Sequence, residues 1–77
     1  MEHNVFKELS RAKIQDTRSL VVSSNSITSG FTIAQQLSVQ EGNRKIEIFL
    51  KGAIHIDSID GLIELRDALN EAIEKES

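Results

Sequence analysis

Two alternating segments on either side of Gly42 and Asn43 constrain the fold of this chain more than any other feature. Glycine at the first position of a two-residue loop supplies the positive φ of a type II′ turn, so residues 31–56 are predicted to form a long β-hairpin. The cross-strand neighbours in this register are Val39 and Ile46, Leu37 and Ile48, Gln35 and Leu50, Ile33 and Gly52, and Phe31 and Ile54. Because the side-chain period of a strand is two, these residues share one apolar side, called here the inner face.

The opposite side of the hairpin, called here the outer face, is polar with one large exception. Its positions are Thr32, Ala34, Gln36, Ser38, Gln40, Lys45, Glu47, Phe49, Lys51, Ala53 and His55. Phe49 would leave a large apolar ring in water unless something covers it. Two interpretations stay open: a ligand covers this ring, or Phe49 and Val21 bury against the N-terminal segment or a second subunit.

The residues before the hairpin predict one further strand, from about Lys13 to Asn25, with a turn at residues 28–30. The neighbours that a Thr28–Ser29 loop implies are Leu20 with Leu37 on the inner face, and Val21 with Gln36 on the outer face. Residues 1–12 are interpreted as an N-terminal arm that adds a helical turn or a short strand.

The C-terminal residues 57–75 are predicted to form an amphipathic helix, because Asp57 or Ser58 can cap its first turn. Its apolar sector consists of Ile59, Leu62, Leu65, Leu69, Ala72 and Ile73. This sector is wide enough to cover the inner face and to leave an edge for a second subunit. Gly61 costs about 1 kcal/mol of helix propensity relative to alanine, which indicates close backbone packing there.

These elements predict a single domain of the α+β class over residues 1–77. It consists of the N-terminal arm (1–12), a three- or four-stranded antiparallel β-meander (13–56) and one C-terminal helix (57–75) packed on one face. A chain of 77 residues lies near the lower limit for a self-sufficient hydrophobic core. Oligomerisation increases the apolar surface that such a short chain can bury, so we expect a homodimer.

Composition and charge limit the kinds of site, the cellular location and the partners that we expect for this chain. The chain has no cysteine, which excludes disulfides and thiolate metal sites and favours a cytoplasmic setting. No basic segment leading into an apolar run follows Met1, so we expect neither a secretory signal nor a membrane span. Residues 7–51 hold seven Lys/Arg against four Asp/Glu, whereas residues 52–77 hold two against seven. The sheet half is therefore basic and the C-terminal half acidic.

No constellation of catalytic residues can be assigned. Nucleophilic catalysis needs a base within hydrogen-bonding reach, and the isolated glycines form no phosphate-binding loop. His55 and Asp57 could offer two metal ligands, but no third is evident, and zinc sites draw on three or four. We expect neither an enzyme nor a metal or cofactor site.

The outer face is the leading candidate for function, because an aromatic ring among basic residues on a sheet is a common way to hold single-stranded nucleic acid. The ring would stack on a base, the cations would meet phosphates and the amide would form hydrogen bonds. Phe49 is assigned to stacking and Gln36 to hydrogen bonding. The cations assigned to phosphates are Arg11, Lys13, Lys45 and Lys51.

Two alternatives from other classes remain. The acidic stripe of the helix, represented by Glu64, Asp67 and Glu71, could bind a basic surface on a host protein. The basic side chains of the outer face could instead serve an oligomer that sequesters a phosphate-bearing small molecule at a subunit interface.

A meander of strands, a basic sheet and a C-terminal amphipathic helix able to pair with its twin together resemble the PC4-like single-stranded-DNA-binding modules. The resemblance covers residues 11–75 and lies in architecture rather than in a sequence motif. It implies single-stranded DNA as the ligand and a dimer as the active form. The chain departs from that pattern in its single outer-face aromatic residue and its net charge of −3. Its brevity and lack of catalytic residues also resemble small bacteriophage regulatory proteins that bind and redirect a host component.

Overall fold

A computed structural model describes residues 5–77 of the chain as one antiparallel sheet followed by one helix. The elements are β1 (Phe6–Gln15), β2 (Arg18–Asn25), β3 (Gly30–Glu41), β4 (Arg44–Phe49), β5 (Ile54–Ile56) and α1 (Ile59–Glu76). The sheet order is β1-β2-β3-β4, and β5 pairs with β3. The predicted α+β class, with a β-meander and a C-terminal helix, is confirmed. The first four residues of the predicted arm lie outside the described residues.

The hairpin is confirmed around its turn. Gly42 has a φ of 61°, and Asn43 does not share the positive sign, as a type II′ turn requires. The cross-strand pairs Val39–Ile46, Leu37–Ile48 and Gln36–Phe49 lie in the predicted register.

The register changes after β4: the backbone amide of Leu50 still donates to the carbonyl of Gln35 at 2.9 Å, but residues 51–53 leave the ladder, and Gly52 has a φ of 97°. β5 then pairs Ile54 with Ile33 and Ile56 with Phe31. The predicted pairs Ile33–Gly52 and Phe31–Ile54 are therefore wrong by two residues. An even shift preserves the alternation of faces, so Ile54 and Ile56 still lie on the inner face.

The predicted single strand over residues 13–25 is wrong, because a turn at residues 16–17 divides this region into β1 and β2. β1 begins at Phe6, so most of the predicted N-terminal arm is a strand. Its pairing with β2 skips one residue at Leu9 and another at Ile14. Each of these bulges reverses the alternation of faces along β1.

The loop between β2 and β3 spans residues 26–29, two residues more than the predicted loop. Asn25 organises it, since its Oδ1 accepts hydrogen bonds from the backbone amides of Ile27 (3.0 Å) and Thr28 (3.3 Å). The predicted neighbours are therefore wrong by two residues: Leu20 pairs with Gln35 instead of Leu37, and Val21 pairs with Ala34 instead of Gln36. The shift is again even, so both side chains keep their faces.

The helix begins beside β5, and the expected close packing at Gly61 is confirmed. A Cβ atom at Gly61 would lie 2.6 Å from Cγ2 of Ile56, so only glycine allows this approach. Beyond this contact, the helix and the inner face line an open groove of about 390 Å³. The apolar residues of this groove are Val22, Ile33, Leu62, Leu65, Leu69 and Ile73.

The helix covers the inner face only in part, which corrects the expectation that its apolar sector would cover the sheet. Among the described apolar residues, Val21 alone is fully buried, and it lies on the outer face. No residue of α1 is buried: the exposed fraction is 57% for Leu69 and 64% for Ile73. Ile48 on the sheet is 46% exposed. The inner face is therefore apolar and open.

Candidate functional site

The outer face extends over four strands, because β1 and β2 continue the side defined by the hairpin. Lys13 lies opposite Ser19, which lies opposite Gln36, which in turn lies opposite Phe49. Directly opposite residues of an antiparallel sheet share a face, so this row carries a cation at one edge and an aromatic ring at the other.

A polar concavity of about 320 Å³ occupies the part of the outer face near the turn of the hairpin. It is lined by Arg11, Lys13, Asp16, Thr17, Ser19, Gln36, Ser38, Lys45 and Glu47. Four of the six residues predicted to bind a ligand, namely Arg11, Lys13, Gln36 and Lys45, thus line one depression. The cations come from β1 and β4, and only the folded sheet brings them together.

Arg11 is the most firmly held cation of this concavity. Its Nε and Nη2 donate hydrogen bonds to the two carboxylate oxygens of Glu8 at 2.9 and 2.8 Å, and its Nη1 donates to Oε1 of Gln36 at 2.9 Å. The hydrogen bond and the charge of Arg11 lower the pKa of Glu8, and Glu8 in turn raises the pKa of Arg11. Arg11 is therefore oriented, and part of its charge is compensated.

Gln36 is the buried centre of this network. Its Oε1 accepts from Arg11, and its Nε2 donates to a carboxylate oxygen of Glu47 at 3.3 Å. Since Arg11 on β1 reaches Gln36 on β3, its side chain must cross β2, where Val21 lies directly opposite Arg11. This crossing gives a physical reason for the burial of Val21.

Lys13 and Lys45 differ from Arg11, because among the described residues no carboxylate lies within 4.0 Å of either ammonium group. Both side chains are exposed. They are therefore the cations of the concavity that can meet an anion without first losing a partner.

An apolar concavity of about 330 Å³ also lies on the outer face. It is lined by Phe6, Ser23, Thr32, Ala34, Phe49, Leu50 and Ala53. Phe49 is 58% exposed and Phe6 is 55% exposed, so the two rings form an uncovered aromatic surface. Sequence reasoning missed Phe6, because it assigned residues 1–12 to an arm.

The remaining predicted ligand residue, Lys51, lies apart from these two concavities. It belongs to the irregular segment between β4 and β5, it is exposed, and it lines neither depression. The structure thus brings Lys13 and Lys45 together with Arg11 but does not place Lys51 beside them.

The acidic helix residues are exposed, and two of the three have partners on the same helix. Asp67 pairs with Arg66 at 3.1 Å, and Glu71 pairs with Lys75 at 3.0 Å. Exposed pairs of this kind contribute little to stability, but they compensate part of the negative charge along the predicted stripe. Glu64 is the third member of the stripe.

His55 and Asp57 do come together, with His55 Nε2 3.1 Å from Asp57 Oδ1. Within residues 5–77, no group of three or more histidine, cysteine or carboxylate side chains is arranged as a metal site. Asp57 lies in the connection between β5 and α1, so this pair is a contact between near neighbours in sequence.

Comparison with known proteins identifies no match for this chain. No protein-family model matches it, and neither a curated protein nor a solved structure does. No helix within the described residues combines the length and the apolar character needed to span a membrane.

Proposed function

We propose that this protein is a non-enzymatic module that binds single-stranded nucleic acid through the outer face of its sheet. One observation carries the proposal: a concavity lined by Arg11, Lys13 and Lys45 shares this face with the exposed rings of Phe6 and Phe49. Cations that follow phosphates and aromatic rings that stack on bases are the two parts of a single-strand site.

In this proposal the residues have different roles. Lys13 and Lys45 meet phosphates, because neither has a carboxylate partner among the described residues. Phe49 stacks on a base, and Phe6 offers a second ring in the same apolar concavity. Gln36 acts as a positioning residue, since both ends of its amide already engage Arg11 and Glu47.

The proposal includes a homodimer and a cytoplasmic setting. A dimer would present two outer faces, and the absence of cysteine agrees with a reducing compartment. The PC4-like resemblance of the sequence supports the same function at the level of architecture, but function depends on the site and not on the fold.

A titration of a labelled single-stranded oligonucleotide between 50 and 200 mM salt tests the proposal. Two cations, Lys13 and Lys45, that neutralise two phosphates give a slope of about −1.4 in log affinity against log salt, which is roughly a 7-fold loss over this range. Lys45→Gln should make the slope shallower by about 0.7. Lys75→Gln is the matched control, because it removes the same charge from the end of the helix.

Substitution of the aromatic ring provides the second arm. Phe49→Ala should weaken binding roughly 5- to 150-fold, since stacking on one base contributes about 1–3 kcal/mol. Ile27→Ala is the matched control, because Ile27 is an exposed apolar residue of the β2–β3 loop. The proposal is wrong if Phe49→Ala binds as tightly as the parent chain, or if binding does not depend on salt.

The two alternatives from the sequence give different outcomes in other assays. A sequestered phosphate-bearing molecule would appear as added mass in native mass spectrometry of the purified protein. A host protein bound by the acidic stripe would be lost from a pull-down when Glu64, Asp67 and Glu71 are all replaced by glutamine.

A further inference from the structure

The inner face lacks the cover that a sheet of this composition needs. Its exposed apolar side chains come from both the sheet and the helix, and they include Ile48, Ile54, Leu65, Leu69 and Ile73. The groove between them is open to solvent along its length and holds about 390 Å³. Exposed apolar surface of this extent marks an interaction site.

The extent of the uncovered surface can be estimated by comparing the accessible surface of this chain with that of a compact monomer of the same mass. The accessible surface of the chain is 6457 Å², whereas a compact monomer of 8.6 kDa exposes about 4,700 Å². The excess is roughly 1,750 Å². If residues 1–4 contributed the full surface of an unfolded chain, about 740 Å², roughly 1,000 Å² would still remain. Obligate homodimers bury about 1,000–2,500 Å² per subunit, so one second copy accounts for this excess.

The shape of the molecule agrees with the area. The radius of gyration is 14.7 Å, against about 11.5 Å for a compact domain of 77 residues. The shortest of its three principal extents is 18 Å, against 42 and 39 Å for the others. A flat chain with an apolar inner face becomes a compact assembly when a second copy covers that face.

Charge indicates how the second copy lies. The helix Ile59–Glu76 holds six Asp/Glu against two Lys/Arg, whereas the inner face of the sheet carries Lys7, Arg18 and Arg44 against Glu41. A two-fold interface uses the same patch on both subunits, so an acidic helix of one copy can lie on the basic sheet of the other, and the reverse.

Arg18 supplies a specific partner for such a helix. It lies opposite Leu37, which lies opposite Ile48, so it belongs to the inner face. Its Nε atom is buried and has no hydrogen-bond partner within the described part of the chain. A buried donor without an acceptor is costly, and a carboxylate on the helix of a second copy would satisfy it.

We propose that a second copy of this chain completes the inner face, with the helix of each protomer lying on the inner face of its partner. The two outer faces then point away from each other, and neither is used for association. Folding and association are coupled, because the single chain buries almost no apolar core. This inference does not depend on the nucleic-acid proposal.

Sedimentation equilibrium and thermal unfolding of the parent chain test the proposal directly. We expect a mass twice that of the chain and a midpoint that rises by about 3–5 °C for each tenfold increase in protein concentration. A chain that remains monomeric at 100 μM, with a cooperative midpoint independent of concentration, would overturn it.

The absence of cysteine makes the arrangement testable by cross-linking. Single variants Ile48→Cys and Leu69→Cys, refolded together and treated with a short bifunctional thiol reagent, should yield the mixed product. Cross-linking of Leu69→Cys only to itself would contradict the reciprocal arrangement. Phe49→Cys is the control on the outer face, and a cross-linked Phe49→Cys dimer would show that the chain associates through the wrong side.

Discussion

Substitution of Gly61 by alanine should reveal how tightly the helix is held against β5. Alanine gains about 1 kcal/mol of helix propensity over glycine. Its Cβ would, however, lie 2.6 Å from Cγ2 of Ile56, roughly 1 Å closer than an ordinary contact. Ile56 is β-branched and therefore stiff at χ1, so the helix must move. Overpacking of this kind costs about 1–3 kcal/mol, and we expect a net loss of about 1 kcal/mol.

The effect of Gly61→Ala on the free energy of unfolding should change sign when the obstructing methyl group is removed. Ile56→Leu moves the branch from Cβ to Cγ and thus removes Cγ2, while the Cβ of Ile56 is 3.9 Å from the added methyl group, an ordinary distance. In this background Gly61→Ala should stabilise the fold by about 1 kcal/mol, which is the propensity gain alone. The coupling energy of the cycle is then about 2 kcal/mol.

Urea unfolding of the parent chain, both single variants and the double variant measures this cycle. All four should be compared at one protein concentration, because association adds to apparent stability. An equal effect of Gly61→Ala in both backgrounds would show that the helix does not pack against Ile56 as described. A stabilising effect in the parent background would lead to the same conclusion.

Two further perturbations test the loop and the Arg11 network. Ser29 has a φ of 60°, so Ser29→Gly should raise the free energy of unfolding by about 0.5–1 kcal/mol, whereas Ser26→Gly, at a position without a positive φ, should lower it. Because Arg11 lowers the pKa of Glu8 in the folded chain, this carboxylate stabilises the fold above its ordinary pKa of 4.5, and the contribution is lost as the pH falls through the lowered value. Urea midpoints measured from pH 7 to pH 2 should therefore converge for the parent chain and Glu8→Gln at the acid end; a constant difference would contradict this linkage.

The alternation of the hairpin was sufficient to predict which side chains share a face, because a period of two survives any even change of register. That is why Ile54 kept its face even though its partner was wrong. Val39 and Ile46 were paired correctly because the nearby turn at Gly42 and Asn43 sets their register. The sequence did not reveal the lengths of the irregular segments. The Asn25 side chain that lengthens the β2–β3 loop, and the segment around Gly52, act through local hydrogen bonds and backbone angles that periodicity does not report.

The candidate site was harder to predict, because it depends on packing between strands that are distant in sequence. The cations Arg11, Lys13 and Lys45 could be chosen from charge alone. Nothing in the sequence indicated that Arg11 would form hydrogen bonds with Glu8, or that both ends of the Gln36 amide would already be hydrogen-bonded. The uncovered inner face was also hidden, since an amphipathic pattern predicts that a helix has an apolar side and not which chain covers it.

The bulge at Leu9 determines which residues of β1 reach the outer face. In a regular strand, residues three apart point to opposite sides, so Glu8 could not share a face with Arg11. The pairing of Glu8 with Ser23 and of Ser10 with Val22 absorbs one extra residue and reverses the alternation. The same reversal places Phe6 on the side of Phe49, where an unbroken strand would have sent it to the inner face. One additional residue in β1 therefore supplies both the acidic partner of Arg11 and the second aromatic ring of the proposed site.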